Sequence, residues 1–160
     1  MKKKGFTLVE LLAVIAILAI LVVIAMPNVL GMFNSSKKNT FKTEVQSILK
    51  QVTTDYVQES LSGYNSEYVF ANVDLSEIKD SVTNNAIYDA DKVHKLNIET
   101  TKSYFIKVDN QGNIIGARIS DGSFCYNVTG TAIKYADVAD SAIKDNAGDT
   151  ACNYKVDFGA

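Results

Sequence analysis

The hydrophobic pattern of the chain changes twice along its length. Residues 6–26 contain no charged side chain apart from Glu10. After Pro27, the only proline, apolar residues recur mostly every three or four positions, which is typical of one face of a helix. From residue 103 onward, short β-branched and aromatic runs alternate with turn residues. The pattern predicts a long helix followed by a sheet, an α+β arrangement.

The predicted helix runs from about Phe6 to Leu61. Its first 21 residues, 6–26, would span about 30 Å, which matches the hydrocarbon core of a bilayer. Pro27 removes a backbone donor and clashes with the preceding turn, so a kink is expected there. The second half is apolar on one side only, and Ser62-Gly63 is expected to end the helix. The apolar positions of this second half are Phe33, Phe41, Val45, Ile48, Leu49, Val52 and Tyr56.

The rest of the chain predicts a meander of three strands that packs on the helix. Asp121-Gly122 lies between two β-type runs and is a strong hairpin signal. Two short helices are expected at 74–82 and 137–146, the first with Asp74 as its cap. The expected strands are 68–70, 103–108, 114–119, 123–128 and 154–158, with a turn at 109–113.

Two ordinary interpretations of the N-terminus compete. Lys2 to Lys4 before an apolar run resemble a secretory signal, but 26–28 is a poor cleavage site and the run is long. The same lysines would hold the N-terminus of a transmembrane anchor in the cytoplasm. Neither interpretation explains Glu10, because an ionisable group within a membrane segment is costly and indicates a function.

The segment Lys4-Gly5-Phe6-Thr7-Leu8-Val9-Glu10-Leu11-Leu12 resembles the processing signal of type IV pilins and the related pseudopilins. The resemblance covers about 30 residues and extends to Pro27. It implies that a membrane peptidase cuts between Gly5 and Phe6 and N-methylates Phe6, while the apolar segment stays on the mature protein. The short basic leader and the phenylalanine resemble the type IVa subclass. Ala19 stands where many members have glycine, which weakens any expectation that the helix melts there.

The resemblance gives Glu10 a partner. Cleavage would create an α-amino group on Phe6, and a neighbouring subunit's amine could compensate the Glu10 carboxylate in a place of low dielectric. If two helices packed in a wrong register, either the carboxylate or the amine would lack its partner. The pair could therefore set the register of assembly. The alternative is that Glu10 is protonated or reaches toward the membrane interface.

The implied organisation is a cleaved leader at 1–5, a membrane and filament-core half-helix at 6–32, and a globular pilin head at 33–160. The precursor would be a single-pass protein of the cytoplasmic membrane, and the product a helical homo-oligomer, an extracellular pilus. The implied partners are the prepilin peptidase and methyltransferase, and an ATPase-driven assembly platform.

Two other functions are weighed against a pilus subunit. A pseudopilin of a type II secretion or competence DNA-uptake machine would share the N-terminal chemistry. A membrane-anchored binding or enzymatic domain would need the contiguous Gly5–Glu10 match to be a coincidence. The size of the head and a C-terminal disulfide loop favour the pilus subunit.

The chain has two cysteines, Cys125 and Cys152. An even count in a region expected outside the membrane favours a disulfide, and pilins commonly have such a C-terminal loop. Two unpaired thiols in a buried core are the alternative. Closing about 28 residues would contribute roughly 3–4 kcal/mol by the loop-entropy relation.

Other chemistry is sparse, and we expect no enzyme, no cofactor and no metal. His94 is the only histidine, sits between lysines and is expected at the surface. The carboxylates Asp137, Asp140, Asp145 and Asp149 lack the spacing of a calcium loop. Removing the three leader lysines from 16 basic residues leaves 13 against 18 acidic ones, a balance of −5. This charge argues against general nucleic-acid binding, so Lys37, Lys38 and Lys42 are expected to face acidic lipids or acidic neighbours.

Overall fold

The computed structural model describes residues 5–63, 67–80, 82–88, 93–146 and 152–158. It contains two compact units, Met1–Asn39 and Thr40–Ala160, which we call the first unit and the second unit. Each is described by itself below.

The long N-terminal helix is confirmed. Helix α1 comprises Leu8–Leu61 and continues through Pro27. The kink expected at Pro27 remains a prediction. The predicted stop at Ser62-Gly63 is confirmed, because the Ser62 and Gly63 amides donate to carbonyls of the last turn, of Glu59 and Ser60. Gly63 adopts a φ of +95°, which an L side chain would disfavour.

The second unit contains a six-stranded sheet in the order β2-β1-β3-β4-β5-β6. Strands β1 and β2 are parallel, and every other neighbouring pair is antiparallel. The expected meander is β3-β4-β5, which confirms the α+β fold class. The strands are β1 Tyr68–Ala71, β2 Val93–His94, β3 Ser103–Val108, β4 Ile114–Ser120, β5 Phe124–Ile133 and β6 Ile143–Asp145.

Both predicted turns of the meander are present, and an aspartate organises each. Between β3 and β4, the Asp109 carboxylate accepts from the Gln111 and Asn113 amides at 2.9 and 2.8 Å. Between β4 and β5, Asp121 accepts from the Ser123 and Phe124 amides at 2.8 and 2.7 Å. Side-chain acceptors of this kind fix a turn by replacing backbone partners.

One face of the sheet packs on α1 and forms the main core. The buried helix residues follow the predicted spacing of three and four, and odd–even alternation along the strands turns every second side chain toward them. The helix contributes Phe41, Val45, Ile48, Leu49, Val52 and Tyr56, and the meander contributes Tyr104, Ile106, Val108, Ala117, Ile119, Phe124 and Tyr126.

The other face of the sheet is covered as well. A second buried cluster joins Val69, Ala71 and Phe105 to Leu75 and Ile78 of the loop after β1. All four residues of β1 are buried for this reason, whereas a one-sided strand would alternate. The partly buried residues Tyr88, Tyr154 and Phe158 pack against the same cluster.

The helix expected at 74–82 is wrong. Its described residues form turns and a single bridge between Lys79 and Ala86. The Asp74 carboxylate accepts from the Ser76 amide, and Asp80 accepts from the Val82 and Thr83 amides. These backbone hydrogen bonds lower the pKa of both aspartates, whose side chains compete with a helix for the same donors.

Two further expected elements are also wrong. The segment 137–146 contains the end of one 3-10 turn, Tyr135–Asp137, the whole of a second, Asp140–Ala142, and then β6. The segment 154–158 forms turns and no strand. Its carbonyls accept hydrogen bonds from Arg118 instead of from a neighbouring strand.

The expected disulfide between Cys125 and Cys152 is present, with 5.6 Å between the Cα atoms. Both cysteines are buried. The bond joins β5 to the segment that follows residue 151 and closes the loop predicted from the sequence.

The packing predicts a clear difference between a core and a surface substitution. Ile106 is fully buried in the main core, so Ile106→Ala should lower the free energy of unfolding of the second unit by about 2–5 kcal/mol. Val82 is 90% exposed, and Val82→Ala should change it by less than about 0.5 kcal/mol. Urea titration of the detergent-solubilised chain, followed by tyrosine fluorescence, measures both; equal effects would contradict the assigned core.

Candidate processing and assembly site

The expected cleavage bond lies ahead of the helix. Gly5, Phe6 and Thr7 are not helical, and α1 begins at Leu8. Phe6 is 88% exposed, and a Cβ built on Gly5 would meet no atom within 4 Å. The Gly5–Phe6 bond is therefore in an open segment, where a peptidase can bind the backbone in extended form.

Thr7 and Glu10 form a reciprocal cap on the first turn of α1. The Thr7 amide and hydroxyl both donate to Glu10 Oε2, at 2.9 and 2.8 Å, and the Glu10 amide donates to Thr7 Oγ1 at 3.3 Å. This arrangement is a capping box, in which the threonine and the glutamate three residues later satisfy each other's orphan donors. The carboxylate also lies at the positive end of the helix dipole.

The capping box gives Glu10 a partner within its own chain, which the sequence analysis did not consider. The sequence suggested two alternatives. Either Glu10 pairs with the Phe6 amine of a neighbouring subunit, or it is protonated or reaches toward the membrane interface. The signal was present, because threonine followed three residues later by glutamate before an apolar run is a known helix-start pattern. Thr7 is thus a site residue that the sequence reasoning missed.

The first unit leaves its apolar surface uncovered. The large apolar side chains from Phe6 to Phe33 are between 44% and 88% exposed. Helix α1 contains a window with a mean hydropathy of 3.2, none of which is buried, so its length and composition suffice to cross a membrane. A signal sequence near the N-terminus would pass the same test. Water is a poor environment for such a surface, which needs lipid or other protein around it.

The lysines after the apolar stretch lie in different surroundings. Lys42 Nζ lies 2.7 Å from Asp140 Oδ1, so it has an acidic neighbour within the second unit. Lys37 is exposed. The expectation that these lysines face acidic lipids or other subunits stays a prediction.

The remaining candidate residues do not form a reactive site. His94 is half-buried, with its ring 5.0 Å from the Tyr68 ring, so it is less exposed than expected. Within the described ranges, no three histidine, cysteine or acidic side chains converge as a metal site would require. Asp149, one of the four carboxylates considered for calcium, lies outside the described residues.

Comparison with known proteins bears on the N-terminus alone. A family model for the prokaryotic N-terminal methylation motif matches residues 1–26. Neither the curated proteins nor the solved structures that were searched contain a match to the chain. The motif is the signature of type IV pilins, and here it includes the start of a long apolar helix, which a sheet follows in a pilin-like α+β fold. These features support a prepilin of the type IV pilin or pseudopilin class, a structural subunit.

The capping box predicts a specific effect at Thr7. Thr7→Val removes the hydroxyl but keeps the shape, and should weaken the first turn of α1 by about 0.5–2 kcal/mol. Thr7→Ser keeps the hydroxyl and should change it little. Amide hydrogen exchange at residues 8–11 in detergent micelles measures this, with faster exchange expected for the valine variant only. Equal exchange in both variants would show that the hydroxyl does not cap the helix.

Proposed function

We propose that the chain is the precursor of a structural subunit of a type IV pilus. A peptidase cleaves it between Gly5 and Phe6, Phe6 is N-methylated, and the mature chains polymerise through their apolar helices. The observation that carries this proposal is the uncovered apolar surface of the first unit, most of which lies within the methylation motif at residues 1–26. The second unit has its own closed core and does not need that surface.

Processing is supported by the geometry around the scissile bond. The bond precedes the helix, and Gly5 has free space around it. A larger residue at position 5 would therefore leave the chain's own structure intact, so a loss of cleavage would report on recognition by the peptidase.

Gly5→Leu should accordingly accumulate in the membrane as the uncut precursor, while Gly5→Ala should be cut to a much larger extent. Mass spectrometry of the membrane fraction should give a wild-type N-terminus at Phe6 with one added methyl group. A mature N-terminus at another residue, or normal cleavage of Gly5→Leu, would contradict the assigned site.

Glu10 would change partners between precursor and filament. Before cleavage, its carboxylate is satisfied by Thr7 of the same chain. Cleavage removes the leader lysines and places a cationic amine on Phe6, one residue before Thr7. A charged amine is a stronger partner than a neutral hydroxyl in an apolar environment. A carboxylate that meets this amine on a neighbouring subunit fixes how far one helix is shifted along the other.

Assembly is driven by what surrounds the apolar helix. In a bilayer, lipid tails cover it as well as protein would, so the hydrophobic effect does not favour association. Outside the bilayer, each chain must bury this surface against other copies, at about 25 cal/mol per Å² of apolar area kept from water. The membrane thus serves as the store of subunits, and the filament is stable once extracted.

If Glu10 sets the register, the Glu10→Gln precursor should be cleaved normally, but its yield of filament should fall about tenfold or more. The reason is that a buried charge without its partner is strongly unfavourable. Glu67→Gln is the matched control, because Glu67 is an exposed acid of the second unit. Immunoblots of the fraction sheared from cells, against the membrane fraction, measure the yield. A normal yield of filament from Glu10→Gln would contradict a role of Glu10 in setting the register.

The same sheared fraction tests the proposed function itself. Long filaments in which this chain is the bulk subunit support the pilus. A short or transient rod, with the chain retained at the membrane under normal expression, would identify it as a pseudopilin and overturn the proposal. The N-terminal processing chemistry would be unaffected by that outcome.

A further inference from the structure

The last described residues, 152–158, lie across the face of the sheet opposite to α1, and we call them the C-terminal strap. Tyr154 Oη donates to the Ser103 carbonyl at 3.1 Å, and Tyr88 Oη donates to Asp157 Oδ1 at 2.6 Å. The strap helps to cover the second cluster around Phe105. None of this was predicted from the sequence, where the segment was expected to be a strand.

Arg118, the only arginine in the chain, holds the strap by its backbone. It projects from β4 and is buried. Its guanidinium donates to the carbonyls of Asn153 at 2.8 Å and Asp157 at 3.0 Å, and also to the Val156 carbonyl. A planar guanidinium with five donors suits three carbonyls in a way that a lysine cannot, and hydrogen bonds to a charged donor are the stronger ones.

Phe158 provides a second attachment near the end of the strap. Its ring lies 4.6 Å from the Phe105 ring and 4.6 Å from the Arg118 guanidinium carbon. The ring sits directly over Gly116, where an added Cβ would lie only 2.6 Å from it. Glycine is therefore required at position 116, because a side chain there would clash with the Phe158 ring.

The disulfide attaches only the first residue of the strap. Cys152 is bonded to Cys125, whereas Val156, Asp157 and Phe158 have no covalent link to the sheet. A disulfide limits where a chain can go but does not hold the residues beyond it against a surface. The attachment of the far end therefore depends on non-covalent contacts, which are those of Arg118 and Phe158 together with the Tyr88–Asp157 hydrogen bond.

We propose that the C-terminal strap is a conformational lock on the face of the sheet opposite to α1. The lock is closed by Arg118 and by the Phe158–Gly116 contact, and not by the disulfide. When the lock opens, the strap's far end leaves and the apolar face around Phe105 meets solvent, while the main core against α1 stays intact. The state of the disulfide then has little effect on whether this face is covered.

Lys155 makes opening measurable. Its side chain is exposed, but trypsin must hold the backbone around it in extended form, and this requires the strap to leave the sheet. Arg118→Met keeps a long apolar stem but removes the donors to the carbonyls. Gly116→Ala keeps those donors but pushes the Phe158 ring away. With the disulfide intact, each should be cut after Lys155 about tenfold faster than wild type or more, since cleavage follows the population of the open form.

The Cys125→Ala/Cys152→Ala double variant should be cut after Lys155 within a few-fold of the wild-type rate. Glu77→Gln is the matched control, since it removes only the exposed ion pair of Lys155 and should leave the rate unchanged. All chains are full length in detergent, with products identified by mass. A double variant cut as fast as Arg118→Met, or wild-type rates for Arg118→Met and Gly116→Ala, would overturn the proposal. An equal rise in cleavage after Lys107, inside β3, would mean that the whole sheet opens, and would also overturn it.

Discussion

The second unit depends on the packing of one helix face against one face of the sheet. Residues at spacings of three and four along α1 meet every second residue of the meander, so two different periodicities are matched across one interface. Asp55 extends this contact beyond the apolar residues, because it accepts from Gln51 on the helix and from the Asn97 amide in the loop before β3. The helix therefore positions both the sheet and one of its connecting loops.

The face of the sheet opposite to α1 is covered in a different way. No helix covers it within the described ranges, so loops and the C-terminal segment supply the apolar cover instead. Irregular segments leave backbone carbonyls without ladder partners, and a buried carbonyl without a donor is costly. Arg118 meets this need from the sheet side. Burial lowers the pKa of Arg118 and Asp157 opposes that effect, and an arginine nevertheless stays protonated at any ordinary pH.

The sequence predicted the structure well where a pattern repeats along the chain. It predicted the structure less well where single side chains determine the local conformation. Helix α1 and the β3-β4-β5 meander follow from periodicity and from the Asp121-Gly122 turn. The 74–82 segment has the apolar spacing of a helix, but Asp74 and Asp80 bind nearby amides and prevent one. The strap could not be recognised, since its main contact is with Arg118, some 35 residues earlier in the chain. At the N-terminus, the capping role of Thr7 could have been recognised from its spacing to Glu10.

The apolar half of α1 is exposed on all its sides, and no single line of contact is favoured by its side chains. A helix with one apolar stripe has a defined rotation about its own axis when it packs, whereas this one can turn at little cost in buried area. Its rotational setting beside a lipid or another copy must then come from features at its two ends. A polymer of such helices can twist or stretch through small rotations of its members, with little loss of apolar contact at each step.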